Sequence, residues 1–319
     1  MLRNKWVNFG LKLAVSGALI WFLARSIDIP AAVDRITGLS WTALGAALLL
    51  FLCLVLNNTV RWGLVMRAIN APIGLIEVFR ILYIGMFFNQ TLPSSIGGDA
   101  VRVFLVHRAG KTLETAVNGI LLERVVTLIG LIALVVATQP ILLSRIGDNP
   151  AKYAFPALAG LAVLGVAVLM LLDRLPQKYR RWRIVRALAQ LAHDTRSLFL
   201  NARYAISGVV LGAVGFALVS ASAWVLGRAI GIDVTLVDCL VLVPPVMLIT
   251  TVPISVAGWG VREGAMVAAF GFIGVAKDDA LLWSVLLGVL VIVASLPGGL
   301  IWLAGGYKRS DVARETAKS

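Results

Sequence analysis

Charge is scarce in this sequence. Asp, Glu, Lys and Arg make up 14% of its 319 residues while 60% are hydrophobic, and the mean hydropathy is +0.92. That balance lies outside the range of soluble domains and places the chain among integral membrane proteins. Cysteine and histidine are almost missing, at two residues each. Cys53 and Cys239 sit in separate apolar stretches with no CxxC and no neighbouring histidine, so neither a disulfide framework nor a thiol-based metal site is expected. His107 and His193 have no partner at ligand spacing. GWGVREG at 258–264 lacks both the GxGxxG spacing and a βαβ setting, which excludes a nucleotide loop. With no nucleophile–base pair to assemble, neither an enzyme nor a cofactor is expected.

Acidic residues are the rarer sign, 16 against 29 basic, for a net charge of +13. In a polytopic protein such an excess belongs to cytoplasmic connections, which removes nucleic acid from the partners. Stretches able to cross about 30 Å of hydrocarbon run over 7–24, 41–57, 117–138, 153–172, 204–226 and 280–304. The first has a basic start and no small-residue cleavage site, so it reads as a retained helix. Arg3, Lys5 and Lys12 put the N-terminus inside. Arg61, Arg67 and Arg80 fall in the next inside connection, and the tail with Lys308, Arg309, Arg314 and Lys318 is also inside. The orientation fits an inner (cytoplasmic) membrane with both termini cytoplasmic.

What the chain does have is a repeat. TLPSSIGGDAVR at 91–102 returns as TVPISVAGWGVR at 251–262, 160 positions later with six identities. This pattern predicts two related halves, about 1–145 and 150–305, within one integral membrane domain spanning 1–319. A basic amphipathic linker at 173–203 joins them and a tail follows at 306–319. Each motif is entered by an apolar segment, Leu75 to Leu92 or Asp238 to Val252, and left by a limb too short to cross. Pro93 and Pro253 with the following serines and glycines break each helix at membrane depth, which is tolerated only around a protein-lined or water-filled cavity. The expected fold is therefore an all-α polytopic membrane protein of two inverted repeats, each with three transmembrane helices and one re-entrant helical hairpin. Whether the second hairpin is re-entrant or crosses fully stays open.

Each motif ends in an arginine, Arg102 or Arg262, placed at the start of a return helix where free N–H groups and the helix dipole favour an anion. Guanidinium forks onto phosphate or carboxylate, so a phosphate-bearing substrate is the best match. Asp99 and Glu263 break the symmetry, either as gating or proton-coupling acids or as neutralisers of the adjacent helix starts. Glu123 and Arg124 lie two turns into a crossing, where the pair either lines the pathway or holds the hairpin. Asn89, Ser95, Ser255, Gly97, Gly98, Gly258 and Gly260 complete the candidate binding set around the breaks. From 178 to 199, apolar Ile184, Val185, Leu188, Leu191, Leu198 and Phe199 recur beneath an arginine-rich face. That pattern predicts a helix resting on anionic inner-leaflet lipids. GVVLG at 208–212 reads as a helix-packing face.

NQTLPSSIGGDAVRVFLV, the downstream Glu123–Arg124 and PISVAGWGVREGA together resemble the lysylphosphatidylglycerol synthase transmembrane-region family, also called flippase-like. The resemblance spans nearly the whole chain. It implies a membrane domain that moves a lipid or lipid-linked headgroup between leaflets, with membrane lipids as partners. The multiple peptide resistance factors of that family carry a C-terminal soluble synthase, which is not expected here, so the headgroup is left open. Two other readings are a secondary transporter of a small organic anion and a non-transporting membrane partner of a glycosyltransferase or lipid-modifying enzyme.

Overall fold

The computed structural model describes residues 38–91, 97–146, 151–171, 183–250 and 259–305. Among these residues it is entirely helical. The first group comprises α1 (Trp41–Ala68), α2 (Leu75–Thr91), α3 (Gly97–Arg108) and α4 (Leu113–Ile146). After α5 (Ala151–Leu171) and α6 (Arg183–Phe199), the same order returns as α7 (Ala202–Ala229), α8 (Leu236–Thr250), α9 (Val261–Gly271) and α10 (Lys277–Ala304). The lengths recur too: 28, 17, 12 and 34 residues against 28, 15, 11 and 28. Among the described residues, four helices are long and apolar enough to cross a membrane: α1, α7, α10 and α4 over Leu113–Ile141. The protein is thus a multi-pass membrane protein. The expected crossing at 7–24, the tail 306–319, linker residues 173–182 and both helix breaks, with Ser95, Ser255 and Gly258, lie outside the described residues.

Local chemistry explains the boundaries. Ser40 caps α1 by accepting from Ala43 N at 3.2 Å, and Asn201 caps α7 by accepting from Arg203 N at 3.1 Å. Thr112 caps α4 through Thr115 N. Thr235 and Asp238 make a reciprocal capping box at α8, in which Asp238 N donates to Thr235 Oγ1 and Thr235 N donates back to Asp238 Oδ2. At the other ends, α1 and α7 stop alike, with left-handed Asn70 (φ 56°) and Gly231 (φ 84°) in equivalent places.

Packing follows the same exchange. α1 lies against α7, α2 against α10 and α8 against α4, so each short apolar helix packs on the last long helix of the other group. Two cores result. One gathers Trp62, Met66, Ile84, Leu122 and Leu198 from α1, α2, α4 and α6; the other gathers Leu226, Met266, Phe270 and Trp283 from α7, α9 and α10. Small residues set the closest approaches, because without a hydrophobic drive between helices in lipid, association relies on backbone contact. A Cβ on Gly130 of α4 would strike the backbone of Gly212 and Ala213 in α7, and one on Gly208 would meet Val126. GVVLG is therefore a packing face.

The linker helix α6 docks on protein. Leu198 is fully buried, with Leu191 and Phe199 packed against the same core. Asp194, 3% exposed, accepts from Asn118 Nδ2 of α4 at 2.8 Å and from Gln190 Nε2 at 2.8 Å. Arg196 reaches the Met170 carbonyl at the end of α5. The apolar stripe read as lipid-facing is thus spent in part on the bundle.

Candidate functional site

α2 and α3 meet at two glycines. A Cβ on Gly98 would collide with the carbonyl of Gly85 and the side chain of Asn89, so the two backbones touch only because both positions lack one. Asn89 Oδ1 accepts from Gly98 N at 3.0 Å and so ties the limbs together across the break. It also occupies one of the free N–H groups that an anion at this helix start would need. The stem of Arg102 then passes directly over Gly85.

That path carries Arg102 into a buried cluster. Its Nη1 and Nη2 each lie 3.4 Å from Glu123 Oε2 of α4, and Nη1 lies 3.2 Å from Asp99 Oδ1. The guanidinium covers the Trp62 ring at 4.1 Å, a cation–π contact of the desolvated kind. Glu123 also receives Arg61 Nη2 at 2.6 Å on its other oxygen and Thr127 Oγ1 at 3.1 Å. Asp99 is held in turn by Arg124, through Nε at 3.0 Å and Nη2 at 2.7 Å. The result is a ladder of alternating charge, Arg124–Asp99–Arg102–Glu123–Arg61. Its outer end is half exposed, the Arg124 side chain at 52%, and its inner end is buried, Arg61 at 5%.

Sequence reasoning missed Arg61. Assigned to an inside connection, it instead lies within α1, which runs on to Ala68 instead of ending at Asn57, and is 4% exposed. Its guanidinium fits beside Gly215 of α7, the position at which a side chain would meet both Arg61 and Asn57. The available signal was an arginine flanked by Val60 and Trp62 with no second charge until Arg67. Glu123 and Arg124 also behave differently from a pair: each clasps a different member of the hairpin, so together they hold it against α4. Arg102 is not at a helix start, because α3 begins at Gly97 and places it beyond the first turn.

The second motif is built differently. Gly260, at φ 85°, opens α9 in a conformation that suits glycine. Its N–H donates to Glu263 Oε2 at 2.5 Å, so Glu263, 1% exposed, neutralises that helix start. Arg262 turns back on the same carboxylate, with Nη2 at 2.6 Å and Nε at 3.1 Å from Oε1. It also reaches Ser284 Oγ of α10 at 3.2 Å and lies over Trp259 at 4.8 Å. Arg102 and Arg262 align in sequence, yet one joins a five-member ladder and the other a closed pair. His107 bonds the Lys111 carbonyl and His193 lies beside Asp194, and among the described residues no group of histidine, cysteine and carboxylate has the arrangement of a metal centre.

Comparison with known proteins agrees with the membrane architecture. A family model, the lysylphosphatidylglycerol synthase TM region, matches residues 10–299. A UPF0104 membrane protein of Methanothermobacter thermautotrophicus is 23% identical over 257 residues, covering 73% of this chain and 76% of the relative.

Proposed function

We propose, for a chain that belongs to the lysylphosphatidylglycerol synthase TM region family, that it is a flippase-like transporter moving a phospholipid or lipid-linked anionic headgroup between leaflets of the cytoplasmic membrane. The observation that carries this reading is the ladder around Arg102: three arginines against two carboxylates, most of them buried, beside a helix break. A buried arginine in a membrane costs about 2.5–3.5 kcal/mol even on the lenient scale; Arg61 and Arg102 are balanced by the two carboxylates, and the third positive charge, on half-exposed Arg124, lies at the open end of the ladder, where an anionic headgroup would approach.

The exchange of partners between the two helix groups supports two repeats around this region. Each half would carry three crossings and one hairpin, and an odd number inverts the second half relative to the first. α4, which carries Glu123 and Arg124, also lines with α5 and α7 a groove of about 490 Å³ formed by Ile129, Ile132, Val136, Val163 and Val209. A groove lined by apolar side chains on a membrane-crossing helix suits acyl tails and favours a lipid over a small soluble anion. The cytoplasmic placement of both termini belongs to the same proposal.

Leaflet exchange of headgroup-labelled lipids in proteoliposomes tests it. The native chain is expected to speed exchange of an anionic phospholipid, and Arg102→Ala to slow it about tenfold, the loss of one charge-assisted contact. Exchange at the empty-vesicle rate, with the native protein folded, would refute the proposal.

A further inference from the structure

A second apolar groove stands at the other end of α7. Leu44 and Leu48 near the start of α1, Leu226 near the end of α7, and Val289 and Val293 of α10 line it, with a volume of about 400 Å³. The groove described above takes Val209, near the start of α7. The two therefore lie against opposite ends of one membrane-crossing helix.

They are equivalent in the repeat. Val289 and Val293 follow Ile129 and Ala133 by 160 positions, the offset of the two motifs, and Val209 follows Leu48 by 161, the offset of α7 from α1. What differs is one wall. Val163 and Val166 of α5 close a side of the first groove, and among the described residues no helix takes that place in the second. Exposure records the difference: Ile132, in the groove that α5 closes, is 6% exposed, whereas Ile292, 160 positions later, is 37% exposed. Gly45 of α1 also lines the second groove, and a Cβ there would meet nothing within 4 Å.

The chain has an apolar stretch in the matching place. α5 is the apolar helix that precedes α7, and 7–24 is the apolar run that precedes α1. Residues 13–24 carry no charge, and Gly10, Ala14, Gly17 and Ala18 recur at helical spacing, the pattern of small residues that lets membrane helices approach closely. The groove opens at Trp41, the first residue of α1, and residues 25–40 reach up to about 50 Å, so the connection sets no limit. The exchange of partners between the halves points the same way. α5, ahead of α7 in the second group, lies against α4 of the first; its counterpart ahead of α1 would lie against α10 of the second.

We infer that the apolar stretch 7–24 seats in this groove, against α10 beside α1, and supplies the wall that α5 supplies to the first. This rests on the two-repeat reading above and is independent of transport. A lipid tail or a second copy of the chain are the other occupants that an apolar groove of this size admits.

Cysteine cross-linking in the full chain tests the inference. In a Cys53→Ala/Cys239→Ala background in phospholipid vesicles, Val289→Cys is combined with a cysteine at each of positions 11–22 in turn, oxidised, and read by protection from maleimide labelling and by chain mass. Positions recurring at spacings of three and four are expected to link within one chain about tenfold more than those between them, because a seated helix turns one face to α10 and raises the local concentration of its thiols. Ile206→Cys, on α7 at the position equivalent to Gly45, should link to none of them. Gly45→Trp puts an indole into the open space and should lower the yield about tenfold.

A Val126→Cys/Gly208→Cys pair, whose side chains adjoin between α4 and α7, calibrates the oxidation. With that pair linked, the absence of any link between 11–22 and Val289→Cys would overturn the inference and leave the groove to lipid. Links at the mass of two chains would overturn it in favour of a second copy. So would linking without helical spacing, or a yield unmoved by Gly45→Trp, refute a seated helix. Leaflet exchange enters none of these outcomes, so the inference and the transport reading fail separately.

Discussion

Glu123→Gln is the sharpest test of the ladder's energetics. Glu123 is 5% exposed and serves two arginines from different helices, Arg61 of α1 at 2.6 Å and Arg102 of α3 at 3.4 Å. Glutamine keeps the shape and one acceptor oxygen but removes the charge between the two guanidinium groups. Two like charges about 6 Å apart repel by about 3 kcal/mol at an effective dielectric near 20. Breaking a buried ion pair by removing one partner costs about 3–5 kcal/mol, and we expect a loss in that range. The assay is equilibrium unfolding in mixed micelles, followed by tryptophan fluorescence. Arg61→Gln/Glu123→Gln removes the inner pair together and returns the remaining ladder to one excess positive charge. It should therefore be more stable than Glu123→Gln alone by about 1 kcal/mol or more, a coupling of the size seen for residues in contact. A loss below about 1 kcal/mol in the single variant, or simple additivity in the double, would refute the reasoning.

Two further outcomes follow from the packing. Gly98→Ala places a methyl group against the Gly85 carbonyl and Asn89, where backbone cannot yield cheaply, so a loss of about 1–3 kcal/mol is expected; an unchanged melting temperature would show that α2 and α3 do not touch there. Asp194→Ala leaves Asn118 Nδ2 and Gln190 Nε2 without their acceptor, and α6 should exchange its amide hydrogens faster by a local cost of about 1–3 kcal/mol, which hydrogen-exchange mass spectrometry over 183–199 would detect.

Much of this protein was legible before its fold. A long apolar run can satisfy its backbone in lipid only as a helix, so composition and run length sufficed to anticipate α4, α5, α7 and α10 within a few residues at most ends. The end of α1 was not anticipated, because a hydropathy window stops at Asn57, Asn58 and Arg61, whereas the helix buries that polar turn against α7 and continues. Six identities between 91–102 and 251–262 marked Arg102 and Arg262 as special. They also suggested that the two arginines act alike.

Tertiary structure decided otherwise, and the reason is geometric. Residue spacing along a helix determines which side chains share a face, but the partners of a buried charge come from other helices, through their depth and rotation. Sequence therefore determined that this is a multi-pass membrane protein with two buried arginine motifs. Only the fold brought Arg61 to Glu123 across 62 positions of chain and Arg124 to Asp99, and enclosed Arg262 with Glu263. It was the packing of α1, α3 and α4 that set Arg102 between two carboxylates.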